Sequence, residues 1–175
     1  MVSFAPPGPE PASTDGQDFG VLRRRVPLVF VPSIAVDAAV IKPFPEIGCD
    51  NEMGCGVPSR VRDLLLRSEH DSAISVTKLG ASTQETTGEL LSIQSDQYVE
   101  DVEARYSTGW WTYGSKGTCF AAKGDSGSVV VDEQLNVVGM VVAVNRPEDG
   151  GEGDCFVHAI KPILSALKVR LPAPG

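Results

Sequence analysis

The sequence predicts an all-β fold, a barrel or a sandwich, with one helix at its C-terminal end. Three observations predict it. From Ile74 onward, short runs rich in Val, Ile, Thr and aromatic residues are divided at short intervals by Gly, Asp, Asn and Ser. No internal repeat, heptad or long helical periodicity competes with that pattern. The last apolar run, Pro162-Ile163-Leu164-Ser165-Ala166-Leu167, reads as a helix with proline in its first turn. A length of 175 residues suits one domain or two small barrels sharing an interface, and 42% apolar residues suffice for a core.

Taken in order, residues 1–18 hold Pro6, Pro7, Pro9 and Pro11 among small polar residues and read as a tail or loop that builds no core. Val21-Leu22 and Val26 to Val31 read as short strands, and Ile34 to Ile41 as another β-leaning run that Pro43 and Pro45 break. Residues 44–58 read as loop. Val61 to Glu69 has the spacing of one or two helical turns, with Val61, Leu64 and Leu65 on the apolar side. Strands are then expected at Ile74–Leu79, Gly88–Ile93, Gln97–Ala104, Gly117–Ala122, Ser128–Val131, Val137–Val144 and Cys155–His158. Of Trp110-Trp111, one ring is expected on the core and one at its rim. Asp96, Asp101 and Asp132 read as turn or surface acids, and Arg23-Arg24-Arg25 as solvated side chains around a strand.

A net charge of −8 argues against nucleic acid as a partner, which would need a basic face. No apolar run reaches the roughly 18 residues that cross a bilayer, so no membrane partner is expected. Met1 to Pro7 has neither the basic nor the apolar region of a signal peptide, which slightly favours a cytoplasmic location. The four cysteines are Cys49, Cys55, Cys119 and Cys155. Neither His70 nor His158 lies near the Cys49/Cys55 pair, so no metal site is expected. A Cys49–Cys55 disulfide would need an oxidising compartment, and free thiols are the leading reading. The oligomeric state is open.

The most informative stretch runs from Phe120 to Val131, through Gly124-Asp125-Ser126-Gly127. A nucleophilic serine needs a tight turn that exposes its hydroxyl, and flanking glycines let the backbone bend. The same turn would aim the amides of Gly124 and Ser126 at one point, an oxyanion hole. Asp125, buried behind the turn, would need a cationic or donor partner. These residue types also favour ordinary turns, so the four residues alone are weak. The setting adds weight: a β-run follows, then a turn at Asp132–Asn136, the run Val137–Val144, a short closing strand and the helix.

That order resembles the second barrel of chymotrypsin-like serine peptidases, of bacterial or fungal type. Two further stretches resemble the same family. The run Val76-Thr77-Lys78-Leu79-Gly80-Ala81-Ser82-Thr83-Gln84-Glu85-Thr86-Thr87-Gly88 is similar to a Lys-x-Gly-Arg-Thr-Thr-Gly-x-Thr-x-Gly hairpin, with Ala81 in place of the arginine and Gln84 in place of a glycine. Val36-Asp37-Ala38-Ala39-Val40-Ile41 is similar to the strand that carries the catalytic aspartate. The resemblance spans about Phe19 to Leu171. It implies a double β-barrel with an incomplete first barrel: a remnant over residues 19–58, a connection over 59–73, and the second barrel with its helix over 74–175. It also implies hydrolysis of a peptide or protein substrate, without a cofactor, through an acyl-enzyme. Ser126 would be the nucleophile, Asp37 the orienting acid, and Gly124 and Ser126 the oxyanion donors. The specificity pocket would have its floor at Phe120, six residues before Ser126, and walls at Val142, Ala143 and Val144. None of these is charged, so a small or apolar substrate anchor is expected rather than a basic one.

The family order is His, Asp, Ser, whereas both histidines here follow Asp37. His70 falls in the expected connection and His158 on the closing strand, and neither reads as the base. Without a base a serine hydroxyl is weakly nucleophilic, and only residual catalysis remains. Two readings follow. In the preferred one, the base and first strands are encoded upstream of Met1 and this chain alone is inactive. In the other, the chain is a pseudopeptidase that binds a peptide or protein. A third class, a β-barrel interaction module unrelated to peptidases, would make Gly-Asp-Ser-Gly a mere turn.

Overall fold

Alternation along Ile74–Gly80 puts Val76, Lys78 and Gly80 on one face, and that face turns inward to help build a closed barrel. The computed structural model describes residues 11–14, 17–26, 36, 38–48, 53, 56–58, 60–63, 73–91, 95–99, 104–115, 118–144 and 154–171. They form a three-stranded sheet, an eight-stranded sheet and one helix. The three-stranded sheet is β1 (Pro11–Thr14), β2 (Gln17–Arg25) and β3 (Ala39–Pro43), antiparallel in that order. The larger sheet comprises β4 (Arg60–Val61), β5 (Ile74–Gly80), β6 (Gln84–Leu90), β7 (Ser95–Val99), β8 (Ala104–Gly114), β9 (Val129–Asp132), β10 (Asn136–Val144) and β11 (Cys155–Ala159). Six of them close on themselves in the order β11-β10-β9-β5-β6-β8, because β8 pairs back onto β11 from Cys155↔Thr112 to His158↔Gly109. β7 hangs on β8, and β4 runs parallel to the start of β10.

Closure leaves the six strands without a free edge and gives the barrel an interior to fill. Val76, Leu90, Trp110, Phe120, Val130, Val138, Val141, Cys155 and Val157 fill it. A second apolar cluster lies outside the barrel wall. There Ile160, Ile163 and Leu167 of α1 (Ile160–Leu167) pack on Val131 and Val137, with Val36, Ala38 and Met53. The helix stops at Lys168, which takes the left-handed conformation and donates its N–H to Ser165 O, while Val169 N–H reaches Leu164 O. The Arg24 guanidinium of β2 bonds the Leu167 carbonyl, a cation at the negative end of the helix that ties the small sheet to the barrel's outer face.

Several expectations are corrected. Pro11–Thr14, read as tail, is a strand; Asp15-Gly16 between the paired Thr14 and Gln17 is a strong hairpin signal that the proline content masked. Arg60–Val61 is a strand where a helix was expected to begin, since Val61 takes a ladder place beside Val137; residues 64–70 lie outside the described set. The single strand expected at Gln97–Ala104 is two antiparallel partners, with Val99 opposite Ala104. Ala104–Gly114 escaped notice because its Gly, Ser and Thr residues blur the alternation. The strand expected at Gly117–Ala122 is a loop over its described residues 118–122, where side chains and the turn itself take up its carbonyls. Trp110 is buried; the side chain of Trp111 lies outside the described set.

Asp132 is a turn acid, but a buried one. It accepts from the amides of Gln134 and Asn136, from the Asn136 side chain, and from Arg62 at 2.9 Å. Burial pushes its pKa up, but hydrogen bonds from Asn136 and Arg62 more than offset this and leave it below the usual carboxylate value. Asp132→Ala is expected to strip these donors and lower the unfolding free energy by about 3 kcal/mol. Removing the half-exposed partner by Arg62→Met is expected to cost about 1 kcal/mol or less. Urea denaturation of both variants measures the difference, and equal losses would contradict this account of the turn.

Candidate functional site

The loop between residues 118 and 128 crosses one end of the barrel, and its shape comes from three sets of contacts. Within the turn, Asp125 N–H donates to Ala122 O and Ser128 N–H to Asp125 O, both at 3.0 Å. Toward β10, Gly127 N–H reaches Val141 O at 2.8 Å and Val141 N–H reaches Ser128 O at 2.9 Å. Gly124 and Gly127 hold φ of +103° and +92°, which a side chain would strain, and a Cβ on Gly124 would also press into Ser82 Oγ. Ser126 is left exposed at the crest.

The third set lies below. Asp125 is fully buried, and five donors converge on it. Ser82 N–H and Thr83 N–H reach Oδ1 at 2.7 and 3.3 Å. Thr83 Oγ1–H and Ala122 N–H reach Oδ2 at 2.7 and 3.0 Å. Lys78 Nζ stands 3.3 Å from Oδ2 and has no exposed side-chain surface. The ammonium also donates to Thr83 Oγ1 at 2.5 Å and to Gln84 O at 3.2 Å, and lies 5.8 Å from the centre of the Phe120 ring. Its three protons therefore each have an acceptor. Ser82 Oγ–H closes the clasp onto Lys123 O at 2.7 Å. Burial raises the Asp125 pKa, but the hydrogen bonds from Ala122, Thr83, Ser82 and Lys78 hold it well below the usual carboxylate range.

Above the turn the contacts are sparse. Among the described residues no acceptor answers the amides of Gly124 and Ser126. Ser126 Oγ has one partner there, the Val142 carbonyl at 3.4 Å, long for a bond between oxygens. That carbonyl is available because Val142 is the extra residue of a bulge: Val141 pairs with Val157 and Ala143 with Phe156.

Of the residues singled out from sequence, Gly124, Ser126 and Val142 come together here. Val142, Ala143 and Val144 are half-buried along β10, and Phe120 is fully buried under the loop, its carbonyl taken by Thr86 Oγ1–H at 2.6 Å. His158 is fully buried on β11, opposite Met140 and Gly109, with Nδ1 3.1 Å from Ala159 O. Asp37, His70, Cys49 and Cys55 lie outside the described residues. Cys119 lies at the surface with its Sγ–H on Ala121 O at 3.0 Å, and Cys155 is buried in the core. Among the described residues no group of three or more acidic, His or Cys side chains could hold a metal ion, and no helix is long and apolar enough to cross a membrane.

Lys78, Ser82 and Thr83 escaped the sequence reading as parts of this site. The signal was present: Lys78 occupies an inward place between Val76 and Gly80 in a strand whose alternation is legible.

With a closed six-stranded barrel, a smaller sheet beside it and a short C-terminal helix, the chain has a chymotrypsin-like fold. Comparison with solved structures agrees. The chain is similar to a glutamic acid specific serine protease described as using a histidine triad in substrate binding, at a TM-score of 0.60 and 16% identity over 93% of this chain and 78% of that one. It is likewise similar to a Nocardiopsis protease (TM-score 0.58, 19% identity, 88% and 74% covered) and to Thermobifida fusca protease A (0.60, 18%, 89% and 75%). No family model matches the sequence, and no curated protein matches it.

The Asp125 pair sets an acid limit. Its folded pKa lies below the unfolded value of about 3.9, so folding favours the ionised form. The stability it contributes is complete well above that value and is lost as pH falls below about 4 toward the folded pKa. Denaturation midpoints measured down the acid range should drop below pH of about 4 in the wild type and less steeply in Asp125→Asn. Parallel profiles would refute the assignment.

Proposed function

We propose that this chain carries the nucleophile half of a serine-type endopeptidase. Ser126 Oγ attacks the carbonyl of a peptide substrate, and a base takes the hydroxyl proton. The amides of Gly124 and Ser126 receive the developing oxyanion, and an acyl-enzyme at Ser126 is then hydrolysed. One observation carries the reading: the turn is fastened from below by Asp125, while among the described residues both amides above it have no acceptor and the hydroxyl has only a long contact to the Val142 carbonyl. Asp37 is assigned as the orienting acid. Neither His70 nor His158 precedes it as the family order requires, so neither is assigned as the base, and without a base these residues hydrolyse peptides only residually. The uncharged Phe120, Val142, Ala143 and Val144 favour a small or apolar substrate anchor.

A second reading, a pseudopeptidase that binds a peptide without cutting it, is favoured by the partner that Ser126 Oγ has among the described residues: a carbonyl, not an imidazole. An unrelated interaction barrel does not account for the likeness in fold.

Labelling with peptidyl phosphonates separates the readings. An adduct on Ser126, slow alone, accelerated by added imidazole in proportion to its neutral form and absent in Ser126→Ala, is the expected result. Binding of the peptide portion without labelling supports the second reading, and neither labelling nor binding sinks both. Probes ending in Ala or Leu are expected to label about tenfold faster than one ending in Arg, and a strong Arg preference would overturn the pocket assignment.

A further inference from the structure

The chain holds 23 acidic residues against 15 Lys and Arg, yet one seam of the molecule gathers cations. It is the seam where β2 meets the C-terminal end of α1, fastened by the Arg24 guanidinium on the Leu167 carbonyl. Arg23 and Arg25 flank Arg24, Lys168 and Arg170 follow Leu167, and all four are exposed. Neighbouring Cα atoms lie about 3.8 Å apart, so the four charges surround this contact at short range. The packing beneath agrees, since Val26, Val40 and Leu171 lie against the same apolar cluster as Leu167. Arg23 is the extra residue of a bulge, because Leu22 pairs with Ile41 and Arg24 with Val40. Arg62, Lys78 and Lys161 each have a carboxylate partner; among the described residues Arg23, Arg25, Lys168 and Arg170 have none. Two apolar side chains stand exposed in the same place. Ile41 shares a face of β3 with Ala39, the partner of Arg25, and Val169 lies between Lys168 and Arg170. β10 starts against α1 at Val137 and reaches Ser126 only at Val142, so the seam is at the other end of the barrel from the Ser126 turn.

We propose that this seam is a docking surface for an acidic peptide segment of a partner protein, one that mixes carboxylates with apolar side chains. The proposal goes beyond the proposed function and does not rest on it. Like charges gathered without counter-ions repel one another, and an anionic segment relieves that repulsion. Arginine presents a fork that a carboxylate accepts from with both oxygens, so Arg23 and Arg25 suit glutamate or aspartate. Ile41 and Val169 give the apolar residues of the segment a place to leave water. Footprint decides for a short segment over an extended polyanion. A nucleic acid duplex or an anionic bilayer would also face the acidic remainder of a chain of net charge −8, whereas a peptide covers the seam alone. The surface is preformed, because Arg24 stays engaged with Leu167 and holds the two cation-bearing segments together.

Fluorescence anisotropy with the full chain tests the proposal, using a labelled peptide of Glu-Glu-Leu repeats. Saturable binding is expected at about 10–100 μM, weakened roughly tenfold when salt rises from about 50 mM to about 200 mM. Arg25→Glu and Arg170→Glu are each expected to weaken it about fivefold or more. Lys123→Glu, an equal reversal of an exposed cation at the other end of the barrel, is expected to leave it within about twofold. Arg25 and Arg170 are exposed and hold no partner among the described residues, so these reversals leave the fold intact, and the salt series on the wild type stands beside them. Absence of binding at about 1 mM protein, equal binding of a Lys-Lys-Leu repeat, or equal loss with Lys123→Glu overturns the proposal. Tighter binding of a DNA duplex or of phosphatidylserine vesicles than of the Glu-Glu-Leu repeat also overturns it, and assigns the seam to an extended polyanion. Ser126→Ala is expected to bind the peptide as the wild type does, so failure of the phosphonate labelling counts against the proposed function alone.

Discussion

The ion pair between Lys78 and Asp125 is the constraint around which one end of the barrel is arranged. Two charges removed from water cost several kcal/mol each, and their attraction offsets that only where hydrogen bonds satisfy what remains of both groups. The surroundings meet this demand. Each ammonium proton has an acceptor, and the carboxylate receives the Ser82, Thr83 and Ala122 amides and the Thr83 hydroxyl. The demand reaches outward into the sequence. It requires a residue without a side chain at Gly80, a hydroxyl at Thr83 and the Phe120 ring beside the ammonium. It also fixes the β5–β6 register, since Gly80↔Gln84 sets which residues form the turn that faces Asp125.

The loop above is held along its lower side and open along its upper one. Its two ends are fixed to different strands: Thr86 of β6 holds the Phe120 carbonyl, while β10 holds Gly127 and Ser128 through Val141. Between these anchors Gly124 and Gly127 supply the conformations that other residues resist. The bulge at Val142 belongs to the same arrangement. By taking one residue out of the β10–β11 ladder it brings a carbonyl toward Ser126 while the barrel stays closed. The outer cluster of α1 with Val36, Ala38 and Met53 then supports β9 and β10 from behind, so the strands that carry the loop are packed on both faces.

Much of this is legible in the sequence. The apolar runs of β5, β9, β10 and β11 and the closing helix follow from alternation, turn residues and Pro162, and Gly124-Asp125-Ser126-Gly127 announces a tight turn. What stayed hidden has physical reasons. Lys78 holds an inward place of β5 that alternation shows, but the carboxylate that makes an ammonium stable there, Asp125, lies more than forty residues on, beyond a reading along the strand. β8 carries Gly109 and polar residues because its neighbours crowd it; a Cβ at Gly109 would meet Phe156, so pairing geometry rather than apolar alternation made the strand. β1 hid behind prolines. Asp37 rested on a short strand resemblance and lies outside the described residues.

A charged pair in this place has a reason that stability alone does not give. Apolar residues of similar volume often match or exceed a buried ion pair in stability. They would fill the space under the loop, but they bind without direction and would leave the amides of Ser82, Thr83 and Ala122 without their acceptor, at a cost of about 1–3 kcal/mol for any that water does not reach. A carboxylate accepts from several donors at once, so one residue can fasten a hairpin turn and a loop at a single point. The hydrogen bonds from Ala122, Thr83 and Ser82 do most to keep the carboxylate ionised, and the lysine adds the countercharge that a buried carboxylate needs. The position of the Ser126 turn thus follows from a requirement for multiple acceptance, and the charge beneath it is the consequence.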